Sequence, residues 1–155
     1  MEELIENFVD RDSSFAEKVS MKLKFDGRDL DDLLLVQLIQ KRVGMADCVQ
    51  NGWLLENFPQ TRSQAILMAK KSLLPNNFIM LNIPISEVYK RTAGSEEFGC
   101  DRTILKRRLD YASMNMPGVV YFYQKFYNNV TSIDGLKSKW FMEDVAVKSI
   151  TQNLK

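Results

Sequence analysis

Side chains able to do chemistry are few in this 155-residue chain: 21 Lys and Arg, 20 Asp and Glu, 2 Cys and no His. Without histidine the commonest general base is missing, and so is any Ser-His or Cys-His nucleophilic pair. Cys48 and Cys100 have no other soft ligands to join them in a four-ligand zinc site, and both are expected to be reduced. What remains is carboxylate, amide and guanidinium chemistry. Glu56 stands at the end of a short apolar run, the edge at which open α/β sheets bind ligands; a plain solvent-facing carboxylate is the other reading. Arg108 closes the cluster Lys106-Arg107-Arg108, which also suits a solvated helix face, and Arg91 falls at a helix C-terminal end, where a cation is favoured in any case. Gln64 follows Thr61 at the spacing of a capping box.

The elements that must position these groups alternate. Ser14 and Glu17 open a helix carrying Phe15, Val19 and Leu23, which Asp26-Gly27 stops. Asp29 is the expected cap of a second helix with Leu30, Leu33, Leu34, Leu38 and Ile39 on one face and Lys41 and Arg42 at its end. Residues 52–57, 78–83 and 130–133 read as strands, the first two as apolar runs buried on both faces of a parallel sheet. Helices are expected from Thr61 to about Ser72, near 86–92, over 101–115 and 117–127 with Pro117 forcing a break, and from Met142 to Ile150. Tyr121, Phe122, Tyr123, Phe126 and Tyr127 recur at helical spacing and read as core packing with an exposed tyrosine or two.

Composition narrows the class. A net charge of +1 gives no reason to expect nucleic-acid or membrane attraction. Residues 1–20 carry Glu2, Glu3, Glu6, Asp10, Arg11 and Asp12 and do not read as a signal peptide, and no apolar run is long enough to span a bilayer. The expected compartment is the cytosol or nucleus, and the sequon Asn129-Val130-Thr131 is read as chance.

The stretch Gly52-Trp53-Leu54-Leu55-Glu56-Asn57-Phe58-Pro59-Gln60-Thr61 resembles the signature of adenylate kinases and nucleoside monophosphate kinases: glycine, an apolar residue, Leu-Leu, aspartate, glycine, Phe-Pro, arginine, threonine. Upstream, Leu34 to Arg42 followed by Asp47-Cys48 resembles the family's lead-in to that signature. Downstream, Gln64-Ala65, then Ile79 to Pro84 through Arg91, then Lys106-Arg107-Arg108-Leu109 with Tyr111, Pro117 and Tyr123 resemble successive parts of the same domain. The resemblance implies an α/β, P-loop-kinase-like parallel three-layer sandwich, truncated at its N-terminus. By spacing, Met1 falls inside the monophosphate-binding region, so 1–50 would supply helices of that region and 51–155 the remaining core with a short lid near 92–101. The strand and glycine-rich loop that cradle the phosphates have no counterpart.

The same resemblance assigns roles. Arg108 matches the arginine that reaches substrate phosphates, Arg91 one that packs against the ATP base, Gln64 the glutamine that recognises the monophosphate base, and Glu56 the aspartate that organises the metal-water shell. It also marks departures. Phosphoryl transfer depends on positive charge around the migrating group, yet Gln60 stands where the family has a phosphate-gripping arginine, and Asn7, Ser95 and Glu97 where it has others. One lost donor of this kind costs about 10² to 10³ in rate. The expectation is a degenerate module without independent phosphotransfer, acting as a scaffold or partner-binding piece, with no cofactor for this chain alone. An upstream segment or a protein partner would supply the central strand between residues 52–57 and 78–83. Relatives of multi-domain kind add the nucleus and the cilium to the expected compartments. The alternative is a fragment of a nucleoside mono- or diphosphate kinase whose missing part carries the phosphate loop, with ATP and Mg as its cofactors.

Overall fold

The computed structural model describes residues 31–92 and 102–152. The expected helix around Phe15 to Leu23, the caps Ser14 and Asp29, the lid beyond Thr92, and Asn7, Ser95, Glu97 and Cys100 lie outside the described residues. The chain divides into two compact units, one running to Phe58 and including Ser63–Leu73, the other formed by Pro59–Arg62 and everything from Leu74 onward.

In the first unit, α1 (Asp32–Val43) has Asp31 at its N-cap position, Asp32 in its first turn and Lys41 and Arg42 in its last, an order that complements the helix dipole. Its apolar face delivers Val36 and Ile39 to a core shared with Phe58, Met68 and Leu73, around which Leu35, Val43, Leu55 and Leu67 pack. Fully burying side chains of this size contributes roughly 1.5–3 kcal/mol each, which is what holds so small a unit together. The helix ends at Gly44, whose N–H donates to Gln40 O at 3.1 Å. A six-residue helix that the periodicity does not announce follows, α2 (Ala46–Asn51), with no buried residue of its own. The third helix, α3 (Arg62–Lys70), brings Gln64, Ala65 and Met68 inward.

Residues 52–57 are a correction to the sequence reading: they form no strand. Exposure still alternates, with Trp53 and Leu55 half-buried and Leu54 85% exposed, so the side-chain pattern of a strand survives. What is missing is a ladder, because among the described residues the only strand pairing is between two other segments. Apolar alternation predicts which side chains turn inward. It cannot supply a neighbour.

In the second unit, β1 (Phe78–Asn82) and β2 (Val130–Asp134) pair in parallel, with Phe78 opposite Val130 and Asn82 opposite Asp134. Parallel pairing demands a crossover, and the connection contains α4 (Ile85–Thr92) and α5 (Arg102–Tyr127). The ladder is extended at both ends: Phe78 N–H donates to Asn129 O at 2.8 Å and Gly135 N–H to Asn82 O at 2.9 Å. A last helix, α6 (Lys139–Gln152), packs on β2, as does α5. The fold is thus mixed α/β with a small parallel sheet.

Two further corrections concern this unit. β1 is not buried on both faces, since Leu81 is 56% exposed; of β2 only Ile133 is fully inside. Pro117 does not break the helix, since α5 runs through it for 26 residues. A helical proline forfeits one N–H bond and crowds the carbonyl four residues earlier, but Pro117 is exposed while Val119, Phe122 and Tyr123 on the same helix are buried. Packing of that inner face outweighs the local defect. Tyr123 stacks on Phe78 with ring centroids 4.9 Å apart and Phe122 is buried beside it, whereas Tyr121, Tyr127 and also Phe126 are exposed, so only two of the five aromatics are core. Asn129 is half-buried with its Nδ2 donating to Pro75 O at 2.8 Å, which ties the sequon amide into the fold. Among the described residues no helix is long and apolar enough to cross a membrane.

Candidate functional site

Ligands of parallel α/β sheets gather at the carboxyl ends of the strands. Here that edge is formed by Asn82 and Asp134 and by the turns that follow them. Arg91, in the last turn of α4, reaches it: its Nε donates to Glu87 Oε1 at 3.0 Å and its Nη2 to Gly135 O at 3.1 Å. The guanidinium therefore joins the helix to the turn after β2. Half its side chain remains exposed, 48%, so a further partner has access to it. Arg108 belongs to the same unit and behaves differently. It lies exposed on α5 and has no ion-pair partner among the described residues.

Glu56 and Gln64 belong to the first unit. Glu56 is exposed. Asn57 beside it takes φ 59°, the left-handed region that glycine and asparagine enter at least cost. The turn thus keeps the backbone shape that a glycine would give it, and Phe58 is directed into the core. Gln64 is 6% exposed and its Nε2 donates to Asp32 Oδ1 at 2.7 Å, linking α3 to the first turn of α1. The sequence reading offered this side chain a capping role or a base to recognise. Nothing local signals the pairing with Asp32, because the two residues are 32 positions apart.

A cluster the sequence reading did not single out as a site lies where α1 meets α2. Arg42 places Nη2 at 2.7 Å from Asp47 Oδ2 and Nη1 at 3.0 Å from Asp47 Oδ1, a bidentate fork, and Nη1 is also 2.8 Å from Cys48 Sγ. The hydrogen bonds from Arg42 hold the Asp47 carboxyl below the usual carboxylate range, opposed by partial desolvation, and reciprocally raise the guanidinium. Cys48 is a free thiol. Beside this fork is a shallow cavity of about 390 Å³, lined by Ile39, Asp47, Cys48, Asn51, Trp53 and Leu55 among others. The signal available in sequence was an arginine and an aspartate five residues apart across a Gly44 turn, a spacing that becomes a contact only once the turn is known. Among the described residues no group of three His, Cys, Asp or Glu side chains could hold a metal ion.

No protein-family model matches the chain. Curated proteins do. It is 28% identical over 108 residues to adenylate kinase 8 of Xenopus laevis, a match covering 70% of this chain and 22% of that protein. It is 31% identical over 90 residues to adenylate kinase 8 of Homo sapiens, covering 58% and 19%. A chloroplastic adenylate kinase of Zea mays is 31% identical over 68 residues, covering 44% and 31%. The aligned part of the chain therefore spans about a fifth of the two adenylate kinase 8 relatives and under a third of the plant protein.

Proposed function

From the relationship of this chain to the adenylate kinases, we propose that it is a degenerate adenylate kinase-like module, without phosphotransfer of its own, that serves as a scaffold or partner-binding piece. The observation that carries this reading is the turn at 56–60. Asn57 preserves the backbone geometry, through φ 59°, and Phe58 preserves the core contact, while Gln60 leaves the phosphate-gripping position without a charge. Shape is retained where it stabilises the fold, and charge is lost where it would serve transfer. Gln64 and Arg91 support the same reading, since each is tied to the protein itself, to Asp32 and to Glu87 and Gly135. The finer architecture that goes with the proposal is the three-layer sandwich of that family, its central strand supplied by an upstream segment or a partner protein, in the cytosol, nucleus or cilium.

The test is a coupled assay of the purified chain with ATP, Mg and AMP, CMP or UMP in turn. No turnover is expected, and millimolar ATP or AMP should shift the melting temperature no more than inorganic phosphate does, since only a ligand that binds the folded state stabilises it. Magnesium-dependent turnover abolished by Arg108→Ala would sink the proposal. A second reading, that the chain is part of an active nucleoside mono- or diphosphate kinase, draws on the exposed Arg108, which stands where a phosphate could reach it. An upstream reading frame encoding a Gly-rich loop with Lys and Ser or Thr would favour that reading, and Gln60 would still weigh against ordinary AMP kinase chemistry.

A further inference from the structure

We propose that Asn51 is a site of spontaneous deamidation, gated by the last turn of α2. Asn51-Gly52 is the only Asn-Gly pair in the sequence. In such a pair the backbone nitrogen of glycine attacks Cγ of asparagine, a C–N bond forms, the side-chain nitrogen leaves as ammonia, and a succinimide closes. Water then opens the ring at either carbonyl to give aspartate or isoaspartate. Nothing is oxidised or reduced, and water is the only co-reactant. Glycine favours the attack because no Cβ shields its nitrogen. Both residues are exposed, and no heavy atom outside the adjoining residues lies within 4 Å of where a Gly52 Cβ would stand, so solvent has free access.

The folded geometry keeps the two reacting groups apart. Gly52 N–H donates to Cys48 O at 2.9 Å, which engages the nucleophile. Asn51 Nδ2 donates to Asp47 O at 3.0 Å, which draws the electrophilic amide back along the helix, away from Gly52. Reaction requires both bonds to open together, which is an unwinding of the end of α2. Six residues are too few for a helix to be stable by itself, and none of the six is buried. Its side-chain tether to α1 is the Arg42 fork on Asp47 and Cys48. The same fork thereby sets how often Asn51 is free to react. Once formed, the product carboxylate lies at the negative end of the α2 dipole and four residues from Asp47, and both interactions favour the opened form. Deamidation therefore acts as a one-way loosening of the turn that leads into residues 52–57.

The experiment incubates the full chain in native buffer and in denaturing urea, digests samples over time, and follows conversion of the Asn51 amide to acid by mass spectrometry. Rapid conversion is expected in urea and slow conversion in buffer, with Arg42→Ala raising the rate in buffer severalfold. Gly52→Ala should suppress conversion in urea, where the native fold plays no part. If Arg42→Ala fails to fold, Asp47→Asn weakens the fork while leaving the Asp47 backbone acceptor in place, and the same acceleration is expected. Equal rates in buffer and urea, or no acceleration in a folded variant of the fork, would overturn the gating. An Asn51 that stays intact in urea would overturn the site.

Discussion

Single positions carry the most exact structural demands in this chain. At Asn57, φ 59° places a side chain where all residues except glycine, and to a lesser degree asparagine and aspartate, pay roughly 1–2 kcal/mol. Asn57→Ala should therefore cost the first unit about 1 kcal/mol, read as a lower urea midpoint at unchanged slope, whereas Asn57→Gly should leave the midpoint nearly unchanged. Equal losses in the two variants would mean that the asparagine side chain, and not the backbone, sets the position. Gly135 imposes a different demand. A Cβ there would overlap Ile83 Cγ1 and meet Asn82 O at 3.3 Å, in the turn whose carbonyl Arg91 holds. Gly135→Ala should cost roughly 1–3 kcal/mol, the usual penalty of overpacking, and loosen the C-terminal edge of the sheet. A thermal midpoint unchanged by that substitution would show that Ile83 yields freely. Neither demand was visible as such in the sequence. Asn57 read as a departure from a signature glycine, and only the backbone angle shows that the substitution keeps the geometry.

At the level of elements, what was legible followed from local periodicity and punctuation. The apolar face of α1, the strands β1 and β2 and the helices at 62–70 and 85–92 were readable from their own periodicity and the turn residues around them, although β1 and the helix at 85–92 hold no fully buried residue. The misreadings share a cause: the deciding contact could not be read from the segment's own pattern. Residues 52–57 had the pattern of a strand but no ladder, α2 had no apolar pattern but a fork from Arg42, and α5 kept its course through Pro117 because its inner face is packed. Pro117 is exposed, so replacing it with alanine restores an N–H to the helix without opening a cavity. Pro117→Ala should stabilise the second unit by about 1 kcal/mol, less than the full helical penalty of proline because the unfolded chain also gains freedom. A loss of stability would show that α5 draws a favourable contribution from the proline itself. The Asp47 carboxyl predicts a pH effect on α2. Its folded pKa lies below its unfolded value, so the contribution is fully present above about pH 4 and disappears as pH falls through the folded pKa. Amide protection in Ala46–Asn51, taken relative to the intrinsic exchange rate at each pH, should fall across that acid range and should be low already at neutral pH in Asp47→Asn.

The molecule as a whole leaves much apolar surface uncovered among the described residues. Val49 and Leu54 in the first unit, and Met114, Trp140, Phe126 and Leu81 in the second, are exposed by 56% or more. An open strand edge is a ready template for another chain. β1 is paired on one side only among the described residues, and its edge strand Phe-Ile-Met-Leu-Asn carries no charge to discourage a second strand. The scaffold reading turns this exposure into an expectation: the surface is to be covered by the upstream segment or partner that completes the sheet. Expressed alone, residues 1–155 should bind a dye specific for exposed apolar surface and associate as concentration rises in sedimentation. Joined to the upstream segment or partner, the chain should lose the dye signal and sediment as one species, with β1 amides newly protected from exchange. A monomeric sample of the isolated chain, with dispersed amide resonances, a cooperative thermal transition and no dye binding, would overturn the expectation and mean that the exposed strand edge needs no neighbour.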